Sequence, residues 1–328
     1  MSLLRTEESR LGCRSHVLVS GCLAFDTTVF VDVGIAPRVT EHSQFRGTAF
    51  VASRIHDSFG GCAGNVSYGL KLLGCEPLPV ALVGSDFSQY RVYLKSRGIE
   101  VSRVLEDKEL PTARSVAITD PYGVQVTAFH PGAAGKSEEL GLGRLDGIRM
   151  AVIAPSTIGA MLRHGEEAAT HSIPLLLNPG QLLASIDEIS VRRLMKLADV
   201  LVVNEEEAEV LRHLLGVGAN EDIAELVPVY VTTLGARGSV IYRGKSTTSI
   251  PSARGQTVVD STGCGDAYVA GLAAGIIAKL DWFRAGCLAS LLAITAGSMI
   301  GTQSYFLHIG ELRTRYRESF GCDLHPNG

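Results

Sequence analysis

Short, nearly unbroken apolar runs recur along the chain at His16–Ser20, Pro79–Val83, Met150–Ala154, Pro174–Leu177, Val200–Val203 and Val227–Thr232. A strand with one wet face alternates apolar and polar residues, so continuous apolarity marks strands buried on both faces. Between the runs lie segments of helical spacing. Asn65–Leu73 sets Val66, Leu70 and Leu73 on one side, and Glu205–Leu215 does the same with Ala208, Leu211 and Leu215. Strands alternating with helices predict an α/β fold with a doubly wound, mostly parallel sheet and helices on both faces. The chain has 328 residues, 46% of them hydrophobic, which suits one large or two modest domains and excludes disorder for its bulk.

Two stretches break this rhythm. Residues 27–59 and 112–129 are rich in Val, Thr and Phe with alternating polarity, and they predict exposed antiparallel strands forming a small β-sheet lid. The domain is expected to span residues 15–320, with the tails 1–14 and 321–328 loosely held.

The formal charge of −4 makes a general nucleic-acid binder a poor reading, because that task needs a basic surface. No apolar stretch reaches the ~20 residues of a membrane span, and the first fifteen residues carry Glu7, Glu8 and several Arg without the apolar run of a secretory signal. The seven cysteines are odd in number and form no CxxC pair, so they are expected to be reduced thiols of a cytoplasmic protein. The same lack of paired ligand spacing disfavours structural zinc.

The most specific chemical signal is Asp260-Ser261-Thr262-Gly263-Cys264-Gly265-Asp266, which opens a helical run through Gly271 to Lys279. Glycines before a helix let backbone N–H groups converge on an anion, and the helix dipole adds to the attraction. A carboxylate at that point would repel a bound phosphate, so Asp266 makes better sense as a base acting on a neighbouring hydroxyl than as a plain helix cap. A second signal is Gly60-Gly61-Cys62-Ala63-Gly64-Asn65. Its double glycine suits a hinge or a close backbone approach to a ligand, and Asn65 can offer a donor and an acceptor to a substrate hydroxyl; a glycine-rich turn with an Asn cap explains it equally well.

Asn204, Glu205, Glu206 and Glu207 follow the Val200–Val203 run, where an open α/β sheet has its ligand crevice. Asn204 and Glu207 could organise Mg²⁺ through its waters, whereas Glu205 and Glu206 are explained by the dipole of a helix start. Thr233-Leu234-Gly235-Ala236-Arg237-Gly238 fits a phosphate or nucleotide-edge loop nearly as well as a hairpin turn. Asp26 follows the first apolar run, where its carboxylate could accept hydrogen bonds from neighbouring sugar hydroxyls or simply cap a turn. Gly132–Ser137 imitates a P-loop but has two residues between its glycines instead of four, and Gly141-Leu142-Gly143 and Gly216-Val217-Gly218 lack the third glycine of a dinucleotide fingerprint. No HExxH or GxSxG occurs.

With both glycine motifs in view, the chain resembles the PfkB/ribokinase family of sugar and nucleoside kinases. Gly60–Asn65 is similar to that family's first signature, Asp260–Asp266 with Gly271 to its second, Asn204 with Glu207 to its NxxE element, and Thr233-Leu234-Gly235 to its nucleotide loop. Ala128–Ala133, Asn178–Gln181 and Gly301-Thr302-Gln303 most resemble adenosine and broad-specificity nucleoside kinases. Val116 stands where some adenosine kinases have a second aromatic, Leu182 where some have another Gln, and Cys264 where Ala is usual.

The resemblance implies a ribokinase-like fold and transfer of the γ-phosphoryl group of ATP to a primary hydroxyl, most readily the 5′-hydroxyl of adenosine. Asp266 would be the base and Gly263, Cys264 and Gly265 the anion hole. Asp26, Gly60, Gly61, Asn65, Phe129 and Gln181 would face the nucleoside, with Phe129 stacking a purine. Asn204, Thr233, Gly235 and Gly238, with Gly263 and Gly265, would face ATP. ATP and Mg²⁺ follow as cofactors, with a monovalent cation a further candidate. A ribokinase or fructokinase is the alternative, and a noncatalytic sugar or nucleoside sensor a more distant one. The partner is a small molecule, and the lid sheet could pair across a homodimer.

Overall fold

The computed structural model describes residues 15–35 and 49–325. Nine strands form one sheet: β1 (His16–Ser20), β4 (Glu76–Val83), β5 (Val104–Glu106), β8 (Ile148–Ile153), β9 (Leu175–Leu177), β10 (Val200–Asn204), β11 (Val229–Thr233), β12 (Ser239–Arg243) and β13 (Ser246–Ile250). Their order is β13-β12-β11-β10-β9-β8-β1-β4-β5, parallel from β11 through β5, with β12 and β13 added antiparallel at one edge. The apolar runs are continuous because each face has its own core. Val17 and Val19 of β1 join one cluster while Leu18 joins the other, and β10 divides Val200 and Val202 from Leu201 and Val203 in the same way.

Helices α1 (Cys62–Leu72), α2 (Ser88–Ser96), α7 (Cys264–Ile277), α8 (Trp282–Gly297) and α9 (Ile309–Phe320) supply the first cluster. Helices α3 (Ile158–Thr170), α4 (Glu188–Leu197), α5 (Glu205–Leu215) and α6 (Asn220–Ala224) supply the second. The α7–α8 contact is close because it is built on small residues. A methyl group at Gly271 would lie 2.6 Å from Ala289 Cα, and one at Gly275 2.8 Å from Ala285 Cβ. Gly271 therefore has a packing reason within the second glycine motif.

The lid is a four-stranded sheet, β3-β2-β6-β7, of β2 (Ala24–Val31), β3 (Ala52–Gly60), β6 (Ala113–Thr119) and β7 (Gln125–His130). Part of the expected lid stretch, residues 36–48, lies outside the described residues. The expectation of purely antiparallel strands is corrected: β2–β3 and β6–β7 are antiparallel, but the central β2–β6 pair is parallel. Both central strands leave the same rim. β2 continues from β1, and β6 starts where Thr112 Oγ1 accepts from the Gly84 amide just past β4, so they must run the same way.

Two further expectations change. Cys75 is disulfide-bonded, whereas Cys22, Cys62, Cys264, Cys287 and Cys322 are free. An odd count excludes full pairing but not one bridge. The tail at 1–14 lies outside the described residues. At the other end residues 321–325 are fastened: Leu324 is buried, and Asp323 takes hydrogen bonds from Arg284 and Arg317. Among the described residues no helix is long and apolar enough to cross a membrane.

Candidate active site

The carboxyl ends of the parallel strands, the foot of the lid and the N-termini of α1 and α7 meet around Asp266. Gly263 caps α7 in the left-handed region at φ +79°, where a side chain would be strained, and a Cβ there would press on Thr302 at 2.9 Å. Asp260 shapes the loop ahead of it, accepting from the Thr262 amide at 3.0 Å and the Gly301 amide at 3.2 Å. The Cys264 amide donates to the Ser261 carbonyl at 3.2 Å. This narrows the expected anion hole, since the amides of Gly263 and Gly265 have no backbone partner among the described residues whereas that of Cys264 is engaged. The Cys264 thiol turns toward α8, where a methyl at Gly297 would meet it at 2.8 Å, and burial pushes its pKa up to about 11.

Asp266 lies in the first turn of α7, half-buried. Its Oδ2 accepts from Asn65 Nδ2 at 2.8 Å. Burial raises its pKa to about 6, with Asn65 and the Cys62 thiol opposing as hydrogen-bond donors and the Glu207 charge adding to the rise. An acid of that strength is still mainly ionised at neutral pH and close enough to it to take a proton, which is what a general base needs. Asn65 is only partly free for a ligand: its Nδ2 serves Asp266, and its Oδ1 accepts from Gln303 Nε2 at 3.0 Å.

Asp26 lies on β2 and feels the same site. Burial first, then the charges of Asp266 and Asp260, push its carboxyl up to about 7. The two glycines of the first motif have separate jobs. A methyl at Gly60 would overlap Asp26 Oδ2, and Gly61, at φ +81°, lies against the Cys22 carbonyl. The close backbone approach expected of this pair is thus made to the protein's own carboxylate and carbonyl.

Register places Phe129 on the lid face that carries Asp26: Ser58, Asp26, Ser115 and Phe129 form one row across β3, β2, β6 and β7. Phe129 is 56% exposed, free to meet a ligand. Val116 pairs with Ala128 one row on, so it projects from the opposite face and could not stack with Phe129. Gln181 is exposed in a turn after β9, and no hydrogen bond joins it to Asp26, Asn65 or Asp266.

Asn204 and Glu207 form a capping box on α5: the Glu207 amide donates to Asn204 Oδ1 at 2.7 Å, and the Asn204 amide to Glu207 Oε2 at 2.9 Å. Glu207 faces Asp266, and burial raises its pKa. Glu205, outside the box, accepts from Arg237 of the loop after β11 at 2.6 Å. In that loop Thr233 ends β11 and Gly235 is exposed, whereas Gly238, at φ +87°, abuts the Ile250 carbonyl and is explained by packing. Among the described residues no group of three His, Cys, Asp or Glu could hold a metal. One half-buried carboxylate and an amide side chain suit a cation carried by phosphates and reached through water.

Sequence reasoning passed over Tyr90, whose hydroxyl donates to the Gly60 carbonyl at 2.9 Å, and quoted Thr302 only within its motif, not for the hydrogen bond its Oγ1 donates to the Phe59 carbonyl at 3.0 Å. Neither residue sits in a pattern that reports where its hydroxyl goes. A cavity of about 800 Å³ between the lid foot, α2 and residues 303–306 does not include Asp266 in its lining; Phe25, Tyr93, Arg97, Arg114 and Phe306 wall it.

The nucleoside kinase of Burkholderia thailandensis, solved with inosine, superposes with a TM-score of 0.87 at 32% identity, over 94% of this chain and 99% of that one. The nucleoside kinase of Methanocaldococcus jannaschii superposes with a TM-score of 0.84 at 25% identity, over 94% and 99% of the two chains. The nucleoside kinase of Methanothermobacter thermautotrophicus is 29% identical over 316 residues, 94% of this chain and 97% of its own length. The model of the pfkB family carbohydrate kinases matches residues 26–307. The match takes in Asp26, both glycine motifs and the Asn204–Glu207 box, and the chain belongs to the pfkB family of carbohydrate kinases.

Proposed function

We propose that this kinase transfers the γ-phosphoryl group of ATP to the 5′-hydroxyl of a nucleoside, adenosine or a closely related purine nucleoside. The observation that carries the reading is Asp266: a half-buried carboxylate at about pKa 6, beside the open amides of Gly263 and Gly265 and facing the lid that bears Asp26 and Phe129. The Burkholderia thailandensis relative, at 31% identity, has been solved with ADP and inosine together, which supports a nucleoside acceptor and a nucleotide donor.

Asp266 takes the 5′-hydroxyl proton as the oxygen attacks the γ-phosphorus and the bond to the β-phosphate oxygen breaks. The Gly263 and Gly265 amides hold the charge on the moving group, the electrostatic positioning on which phosphoryl transfer chiefly depends. Asp26 accepts from the ribose hydroxyls, and Phe129 stacks on the base. Asn204 and Glu207 would hold Mg²⁺ through its waters, and the ion supplies neutralisation of phosphate charge. Thr233 and Gly235 border the nucleotide. The outer lid face, with Ile55, Val116 and Val126 exposed, offers a surface on which two copies could pair.

ADP release measured with adenosine, inosine, cytidine, ribose and fructose tests the reading. Purine nucleosides should give the highest kcat/KM; preference for a free sugar would replace the proposal with a ribokinase or fructokinase, and ligand binding without turnover would replace it with a sensor.

A further inference from the structure

Four side chains from separate parts of the chain form a single hydrogen-bonded file that ends on Asp266. Tyr90 of α2 donates to the Gly60 carbonyl at 2.9 Å and accepts from Gln303 Nε2 at 2.6 Å. Gln303 Nε2 also donates to Asn65 Oδ1 at 3.0 Å, and Asn65 Nδ2 donates to Asp266 Oδ2 at 2.8 Å. Tyr90, Gln303 and Asn65 are buried at 0, 4 and 5% exposure, so water does not compete for these groups.

The direction of the file is dictated from its far end. A backbone carbonyl can only accept, so the Tyr90 hydroxyl must donate to Gly60, and its oxygen is left to accept. Gln303 therefore presents its amide nitrogen, with one N–H for Tyr90 and the other for Asn65. Asn65 must then turn its own nitrogen toward Asp266. In this arrangement Gln303 Oε1 is buried with no hydrogen-bond partner. Two further features keep the file in place. Gly64 lacks the methyl that would overlap the Tyr90 hydroxyl, and Tyr93 donates to the Gln303 carbonyl at 2.8 Å.

We propose that Gln303 is a positioning residue for phosphoryl transfer, fixing the Asn65 amide so that an N–H meets the base, with Tyr90 setting the direction from the lid-foot carbonyl of Gly60. This rests on the reading of Asp266 as the base. Besides Asn65, the groups facing Asp266 are Asp26 on β2, Cys62 on α1, Glu207 on α5, Cys264 at the start of α7, and Tyr305. All of them stay in place when Gln303 is replaced.

The test is the pH profile of kcat/KM in Gln303→Met, which keeps the length of the side chain and removes its donors. Freed from Gln303, Asn65 can rotate, and the acid step belonging to Asp266 should move up by about one pH unit. Turnover at pH 7 should fall about twofold, the loss of ionised Asp266 that such a rise produces, while KM for the nucleoside changes little. Tyr90→Phe should move the step the same way by less. A purely structural role would lower thermal stability and leave the step where it is. An unmoved step in folded Gln303→Met overturns the proposal; should that variant not fold, an unmoved step in Tyr90→Phe does so. Persistence of the step in Asp266→Asn would instead remove the base assignment itself, a separate result.

Discussion

Asn65 and Asp266 are hydrogen-bonded at 2.8 Å across a separation of 201 residues, and that single contact joins the two glycine motifs. It also makes the consequences of altering Asp266 specific. Asp266→Asn keeps the size and an acceptor for Asn65 but removes the proposed base, so kcat should fall by about 10²–10⁴-fold with nucleoside affinity largely retained. A steady-state comparison of the two proteins decides it, and a loss smaller than about tenfold contradicts the assigned role.

The pH dependence follows from two carboxyl groups raised by burial. In the proposed roles Asp26, at about 7, and Asp266, at about 6, must both be ionised, the one to accept from the ribose hydroxyls and the other to take the proton. kcat/KM should therefore decline below about pH 7 and more steeply below about 6, reported as two steps of an interacting pair. Asp26→Asn should leave a single, lower step in a profile measured from pH 5 to 8.

The same shifts carry a cost in stability. Asp266 binds its proton more tightly folded than unfolded, where carboxyls titrate near 3.8, so its stabilising contribution is fully present below that value and is lost as pH rises through about 6. The ligand-free Asp266→Asn protein should melt a few degrees above the unaltered one at pH 8, and the gap should narrow toward pH 4. Thermal melts at the two pH values give the sign.

Gly60→Ala puts a methyl group into the space of the Asp26 carboxylate. The carboxylate must swing away, and KM for the nucleoside should rise about tenfold or more with a smaller change in kcat, as expected when ground-state binding is what is lost. Kinetics with adenosine as the varied substrate would show this.

Phe129→Ala should raise KM for purine nucleosides about three- to tenfold, the value of an aromatic stack, and leave activity on free ribose, if any, unchanged. Equal effects on ribose and adenosine would show that Phe129 does not meet the base.

Much of the fold was legible because buried parallel strands and amphipathic helices leave periodic traces. β1 and α5 fall on the predicted bounds, and β4, β8, β9 and β11 within a few residues of them. The parallel β2–β6 pair was not legible, because alternation shows that a strand has two unlike faces but nothing about its neighbour's direction. Asp266 and Asp26 could be picked out from glycine context and position after a strand. The Tyr90–Gln303–Asn65 file could not, since it depends on tertiary burial of residues from three distant segments. The Cys75 bridge was missed because an odd number of cysteines excludes full pairing but does not exclude a single bridge.

The parallel join at the centre of the lid has a mechanical consequence. Asp26 belongs to one hairpin and Phe129 to the other, and the backbone ladder from Ala24–Ala113 to Phe30–Thr119 is the seam between them. Because that ladder joins the two strand pairs and Asp26 and Phe129 stand in one row of the sheet, the spacing between the ring and the carboxylate is set by backbone hydrogen bonds. A substitution that loosens the seam would therefore shift one against the other without altering either residue.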